Sequence, residues 1–211
     1  VAAQVIRSKN WAWTTVINGS HVKDRINRIS TTLKNTSYQI EEDSPLRLRF
    51  REGGSQYDIY AVRSAGIDPA TGQEIFIDRN GEYTFRYDAD DEVVVGNTQP
   101  KLQGTWLNTL RYKGWSLNLV FSYKFGGDTY NKTLWSKVED IDPRYNVDAR
   151  AFTDRWKRPG DLSRFLAIKE IRPEDSSYSS ERFVERLNEL WLSSAMLTYE
   201  FQATFLKRIG F

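Results

Sequence analysis

Few side chains in this sequence could do covalent chemistry. His21 is the only histidine and there is no cysteine. A Ser-His-Asp triad or a multi-histidine zinc site would have to be built around that one imidazole, and thiolate sites are excluded. The plain reading of His21 is a polar strand residue. Asp88-Ala89-Asp90-Asp91-Glu92 concentrates carboxylates, but it lacks the glycine and the spaced final Glu of a calcium loop. It reads as a solvated acidic loop. Other Asp and Glu residues fall at no recognisable catalytic spacing, although glycosidase carboxylates are set by space rather than by sequence. No catalytic, cofactor-binding or metal-binding residue is therefore assigned, and the chain reads as a non-enzyme. What remains is aromatic surface. Aromatics make up 14% of the chain, with 7 Trp and 11 Tyr. That enrichment suits sugar-stacking surfaces or membrane interfaces. Trp135, Tyr145 and Trp156 lie in a long polar stretch and are the candidate substrate-binding residues, with loop packing as the alternative role.

These aromatics need a scaffold, and the clearest element is Gly104 to Gly127, GTWLNTLRYKGWSLNLVFSYKFGG. It reads as two antiparallel strands joined at Lys113-Gly114. In the second strand Leu117, Leu119, Phe121, Tyr123 and Phe125 alternate with Asn118, Val120, Ser122 and Lys124, a period of two with one greasy face. In the first, Trp106, Leu110 and Tyr112 share a face, with Asn108 as the exception. A half-buried soluble sheet has this pattern. So does a strand pair of an outer-membrane barrel, with its apolar face toward lipid and aromatic girdles at the two interfaces.

Composition leaves both open. The 211 residues are 39% hydrophobic and 27% charged, with a net charge of +2. Bulk charge does not point to nucleic acid. No apolar run approaches the ~18 residues of a membrane helix. The N-terminus lacks the features of a secretory signal and starts in mid-pattern without Met, so the chain reads as an internal or processed piece of something longer.

In chain order, Lys9–Asn18 reads as a strand and Asn18-Gly19-Ser20 as a hairpin turn. His21–Leu33 then reads as its partner strand, with a helix as the alternative. Leu46–Arg51 is a short strand with Arg47, Arg49 and Arg51 on one face, Glu52-Gly53-Gly54 a turn, and Ser55–Ile67 a returning strand. Gln73–Asp78 and Glu82–Tyr87 form a small hairpin around Arg79-Asn80-Gly81. Asn146–Trp156 and Ser180–Leu190 are short helix candidates. Leu190–Ala203 is a long strand with Trp191, Ala195, Leu197, Tyr199 and Phe201 on one face, and the chain enters another strand from Lys207. Short turns at 18–20, 52–54, 113–114 and near 204–208 alternate with long connections at 34–45, 68–103 and 128–189. Outer-membrane barrels sort short periplasmic turns from long extracellular loops in this way.

Several stretches resemble one family. They are Gly66-Ile67-Asp68-Pro69-Ala70-Thr71-Gly72, Gly96-Asn97-Thr98-Gln99-Pro100, and Tyr112-Lys113-Gly114-Trp115-Ser116-Leu117. Phe125-Gly126-Gly127-Asp128-Thr129-Tyr130-Asn131 and Arg155-Trp156-Lys157-Arg158-Pro159-Gly160-Asp161 follow. Leu197-Thr198-Tyr199-Glu200-Phe201, leading to Leu206-Lys207-Arg208-Ile209-Gly210, is the last. In this order and spacing, from about Trp11 to the end, they resemble the C-terminal barrel region of SusC/RagA-like TonB-dependent outer-membrane transporters.

The resemblance implies an all-β fold, an antiparallel transmembrane β-barrel segment of a large, plugged, about 22-stranded barrel, with long loops containing short helices. Residues 1–211 would be its C-terminal portion, with about seven or eight spanning strands and with the plug and N-terminal barrel strands absent. It implies import of oligosaccharides or peptides in the outer membrane of a Gram-negative bacterium. The implied partners are the rest of the barrel and plug, a SusD-like surface lipoprotein, the TonB complex through the missing N-terminal part, and outer-membrane lipid. Loops 34–45, 68–103 and 128–189 would be extracellular. Leu117, Leu119, Phe121, Leu197 and Tyr199 would face lipid, and Arg47, Arg49, Arg51, Asn118 and Lys124 the interior. An isolated piece would leave unpaired edges in lipid and could not transport alone. The competing expectation is a soluble carbohydrate-binding β-domain, which accounts for the aromatics but not for the sorted loops.

Overall fold

The computed structural model describes residues 1–31, 38–39, 47–141, 144, 146–168 and 179–201, with backbone only at 38–39 and 47–48. Tyr145, the turn expected near 204–208, the strand expected from Lys207 and most of loop 34–45 lie outside the described residues. The strands are β1 (Ala2–Arg7), β2 (Trp11–Ser20), β3 (Tyr38–Gln39), β4 (Arg47–Leu48), β5 (Asp58–Ala61), β6 (Arg63–Ile67), β7 (Glu74–Ile77), β8 (Tyr83–Thr84), β9 (Val93–Asn97), β10 (Leu102–Tyr112), β11 (Trp115–Tyr130) and β12 (Val184–Tyr199).

The chain divides into two compact units. One is Val1–Lys23, Gln99–Gly127 and Leu187–Phe211; the other is Asp24–Thr98 and Asp128–Arg186. The first is a five-stranded sheet in the order β1-β2-β10-β11-β12. β1 with β2, β2 with β10 and β10 with β11 are antiparallel. Among the described residues the sheet is open and does not close into a barrel. The turn at Lys113-Gly114 is where the sequence puts it, with Tyr112 opposite Trp115.

Two expectations about this sheet need correction. Asn18-Gly19-Ser20 is not a turn but the end of β2, where Gly19 lies opposite Gly104 of β10. A Cβ on Gly104 would come within 1.9 Å of the Asn18 carbonyl oxygen, so the glycine permits a close backbone approach and not a reversal. The true partners of β2 are β1, through a turn in which the Ser8 N–H donates to the Trp11 carbonyl at 2.8 Å, and the distant β10. Among the described residues this sheet has five strands, fewer than the seven or eight expected, because 47–51 and 55–67 are not part of it.

Of the short turns expected, 113–114 stands in this sheet, 18–20 lies within β2 and 52–54 belongs to the second unit. The β1–β2 and β10–β11 turns lie at one end of the sheet, where the Lys113 N–H donates to the Asn10 carbonyl at 3.1 Å and the Glu200 N–H to the Gly114 carbonyl at 2.8 Å. The chain leaves the opposite strand ends twice, between β2 and β10 and between β11 and β12. Residues 34–45 and 68–103 are therefore parts of one excursion, and residues 128–189 closely match the second.

The second unit is built from those two excursions. It holds β5 paired with β9, and the hairpin β7–β8 extended by β6. The hairpin around Arg79-Asn80-Gly81 stands as read, with Gly81 at φ 88. Residues 21–30 are irregular. Ile26 is fixed by its N–H to the Gly54 carbonyl and by the Gly53 N–H to its own carbonyl, both at 2.8 Å. The helix read at Asn146–Trp156 shrinks to Arg150–Thr153. The one read at Ser180–Leu190 is a single 3-10 turn, Glu181–Phe183, before β12 begins at Val184. Phe183, Leu187 and Leu190 sit at helical spacing, but Phe183 turns into a core while the later residues belong to an exposed strand. That core joins Tyr130, Leu134, Trp135, Val138, Ala151, Phe165 and Phe183. Every buried hydrophobic side chain among the described residues belongs to this unit.

Candidate functional site

The first unit follows from its alternation. The register puts Trp11, Trp13, Thr15 and Ile17 of β2 on the same face as Leu102, Trp106, Asn108, Leu110 and Tyr112 of β10. Trp115, Leu117, Leu119, Phe121, Tyr123 and Phe125 of β11 complete that face. The other face carries Thr14, Asn18, Thr105, Thr109, Arg111, Ser116, Asn118, Ser122 and Lys124, with Val16, Leu107 and Val120 as an apolar row across it. There the Thr109 hydroxyl donates to the Asn118 amide oxygen at 2.9 Å. A sheet in water buries one face against another layer. Here neither face has a buried hydrophobic side chain.

The polar exceptions on the apolar face are paired with tryptophans. The Trp13 indole N–H donates to Asn108 Oδ1 at 3.1 Å, and the Trp106 indole N–H donates to Thr15 Oγ1 at 2.7 Å. Asn108 is only 6% exposed as a result. A buried amide is costly unless hydrogen-bonded, and the Trp13 contact removes that cost for Asn108.

Aromatic rings gather at the two ends of this face. At the short-turn end Trp11 packs on Tyr112 with ring centroids 4.5 Å apart, and Trp115 on Tyr199 at 4.6 Å. At the other end Tyr123 stacks on Phe125 at 5.5 Å. The Tyr123 hydroxyl donates to the Asn18 carbonyl at 3.0 Å, so its ring covers the Gly19–Gly104 approach. From Trp115 to Phe125 is about 34 Å along the strand at ~3.4 Å per residue. Tilted by ~40°, that is about 26 Å, close to the ~25 Å apolar band of an outer-membrane barrel.

In β12 the expected alternation breaks. Trp191 lies under the Lys124 ammonium at 5.5 Å, and Ser193 meets Ser122 at 2.5 Å, both on the polar face of β11. Tyr199 packs on Trp115, on the apolar face. Trp191 and Tyr199 therefore do not share one face, and an irregularity lies between them.

In the second unit the quoted motifs pack in pairs. Gly66–Gly72 meets Arg155–Asp161: the Trp156 indole N–H donates to the Pro69 carbonyl at 2.9 Å, and the Gly160 N–H to the same oxygen at 2.8 Å. Gly72, at φ +69, lies under the Trp156 ring, where a Cβ would come within 2.5 Å. The Thr71 hydroxyl and the Ala70 N–H both donate to Asp68 and hold its carboxyl below the usual range. Gly96-Asn97 meets Asp128, whose Oδ2 accepts from the Asn97 N–H at 3.0 Å.

Charge joins the excursions as well. Arg182 Nη2 bonds Glu74 Oε2 at 2.7 Å and Glu139 Oε1 at 2.8 Å, and the Ser180 hydroxyl donates to Glu74. Burial works against the Arg182 charge, but the two carboxylates outweigh it and hold its pKa above the ordinary arginine value. Arg155, also buried, donates to the Ala151, Val138 and Glu139 carbonyls. Neither arginine stood out in the sequence.

The sequence-read site residues fare unevenly. Trp135 is 7% exposed within the core, so its ring is occupied by packing. Trp156 is half-buried against Gly72 and keeps some open surface. Tyr145 lies outside the described residues. Arg49, read as facing a wet interior, instead pairs with Glu92 at 3.1 Å in the second unit, and Arg51 stands over the Tyr60 ring at 5.3 Å. Glu92 also accepts from Tyr87 and Ser179, so the acidic loop is partly absorbed. Exposed His21 contacts the Lys101 carbonyl at 2.6 Å.

No family model matches the chain. Over 251 aligned residues it is 22% identical to TonB-dependent receptor P39 of Formosa agariphila, covering 100% of this chain and 24% of that protein. Among solved structures it superposes on the RagAB peptide transporter with a TM-score of 0.69 and 18% identity, covering 94% of this chain and 22% of that one. With the RagAB peptide importer in its open-open state the TM-score is 0.72, at 17% identity, over 97% of this chain and 22% of that one. The resemblance to SusC/RagA-like TonB-dependent transporters is borne out. The chain spans about a quarter of the length of these proteins. SusC/RagA-like architecture accounts for the two sets of residues above: a two-faced antiparallel sheet, and two long excursions joined by hydrogen bonds and ion pairs.

Proposed function

We propose that the chain is a stretch of the barrel wall of an outer-membrane TonB-dependent importer, with two long loops that fold together. The observation that carries this is a sheet without a buried hydrophobic side chain on either face, apolar on one side and ringed by aromatics at both ends. Lipid covers the apolar face, and the barrel interior with its plug covers the polar one. Among the described residues β1 and β12 are the edges of the sheet, and hydrocarbon does not tolerate unpaired backbone groups, so further strands of the parent barrel pair with them. The chain is then the C-terminal portion of that barrel, with the plug and the segment contacting the TonB complex elsewhere in the same protein.

The excursions face the outside and meet a SusD-like lipoprotein. The cargo is an oligosaccharide or a peptide; the likeness to the RagAB peptide importer favours a peptide. Of the aromatic candidates, Trp156 has the surface to touch it, while Trp135 holds the loops in shape.

The test is fractionation of the native protein. Recovery from outer membranes only with detergent, at a mass far above that of these 211 residues and together with a lipoprotein, is the expected result. A detergent-free soluble protein would overturn the proposal and leave the carbohydrate-binding β-domain.

A further inference from the structure

The short-turn end of the sheet carries cations without acidic partners. Arg7, Lys9, Arg111 and Lys113 are all exposed there, and none of them makes an ion pair with a described residue. The acid described at this rim is Glu200, beside Gly114. Arg7 and Arg111 both lie opposite Ala12, on the polar face. Lys9 and Lys113 stand in the two turns themselves. The Lys113 ammonium is 5.3 Å from the centre of the Tyr112 ring, and Tyr112 belongs to the apolar-face row Trp11–Tyr112–Trp115–Tyr199. Lys113 thus sits at the depth of an aromatic girdle, where headgroups would lie.

Its backbone is informative too. Lys113 has φ +51, and among the described residues it alone has a positive φ without being glycine. Glycine or asparagine would hold this two-residue turn with less strain. Backbone geometry therefore gives no reason for a lysine, and strain is retained where a side chain has work to do.

We propose that Lys113, beside the Trp11–Tyr112–Trp115–Tyr199 row, and Lys9 in the neighbouring turn bind the phosphate of anionic glycerophospholipid headgroups at the short-turn rim. The inference rests on the barrel-wall reading above. An ammonium beside a phosphate forms a charge-assisted hydrogen bond, and the neighbouring indole and phenol rings fill the interface around it. Lipid A also offers phosphates. The choice falls on glycerophospholipid because, in a barrel, short turns face the periplasmic leaflet, which is built of it.

The test uses the intact transporter in detergent. Its unfolding temperature is titrated with phosphatidylglycerol, phosphatidylcholine or lipid A, and bound lipid is counted by native mass spectrometry. Lys9→Gln with Lys113→Asn removes both charges, and asparagine tolerates the positive φ. Wild type should gain stability from phosphatidylglycerol more than from either other lipid, and the gain should vanish in high salt. The double variant should bind several-fold less phosphatidylglycerol, be no less stable without lipid, and regain binding with Lys113→Arg alone restored. An equal lipid response in the double variant, or a stronger response to lipid A, would overturn the proposal while leaving the barrel reading intact. A double variant that fails to fold would count against it as well, since the turn should then be easier to form. A wild type that needs no detergent defeats the barrel reading itself.

Discussion

Trp13 and Asn108 show how a single side chain decides whether the apolar face of this sheet tolerates a polar group. The Asn108 amide is tolerated because the Trp13 indole covers it and donates to it. Trp13→Phe keeps the ring but removes the donor, so the detergent-solubilised protein should lose about 1–3 kcal/mol in a denaturant titration. Asn108→Leu in the same background should restore most of that loss. Gly72 is the corresponding residue in the loops. Ala there adds a Cβ within 2.5 Å of the Trp156 ring at a φ that L residues avoid. Gly72→Ala should cost about 1–3 kcal/mol, read as faster amide exchange across 66–72 and 155–161. Lack of any change at 155–161 would show that the two turns are not coupled.

Between elements, the link that counts in the second unit is Arg182. It joins Glu74 of β7 to Glu139, which ends the helical stretch after β11, and all three side chains are largely buried. Removing the cation strands two carboxylates. Arg182→Ala should therefore cost about 3–5 kcal/mol and expose both excursions to protease together. If only one excursion became cleavable, the clamp would not be what unites them. The β12 irregularity belongs to this scale as well: the sequence alternates cleanly from Trp191 to Tyr199, but pairing with β11 puts those two rings on opposite faces.

For the whole molecule, the barrel-wall proposal puts lipid on the apolar face. Leu119 lies near the middle of the apolar face and its neighbour Asn118 on the other. Leu119→Arg should destabilise the protein in bilayers by about 2–4 kcal/mol, and Asn118→Arg should be close to neutral. Equal effects would contradict the assignment of lipid to one face. The same contrast should be weak in denaturing detergent, where no bilayer midplane exists.

Local order was legible in the sequence because it is written at short range. The two faces of β11 follow from a period of two, and the Lys113-Gly114 turn from two residues. The turns at Asp68–Gly72 and Asp78–Glu82 are local hydrogen-bond chemistry and were legible too. Asn18-Gly19 carries the same local signal as a hairpin turn, yet its role is set by Gly104 and Tyr123, which only the folded sheet brings beside it. In the same way Arg49 and Arg51 read as a strand face until Glu92 and Tyr60 are placed against them. Tertiary structure alone decided that the core of the second excursion buries Trp135, and that Arg182 reaches across to Glu74 of the first. Those contacts join residues far apart in the chain, and periodicity carries no information about which distant segment will complete a buried face.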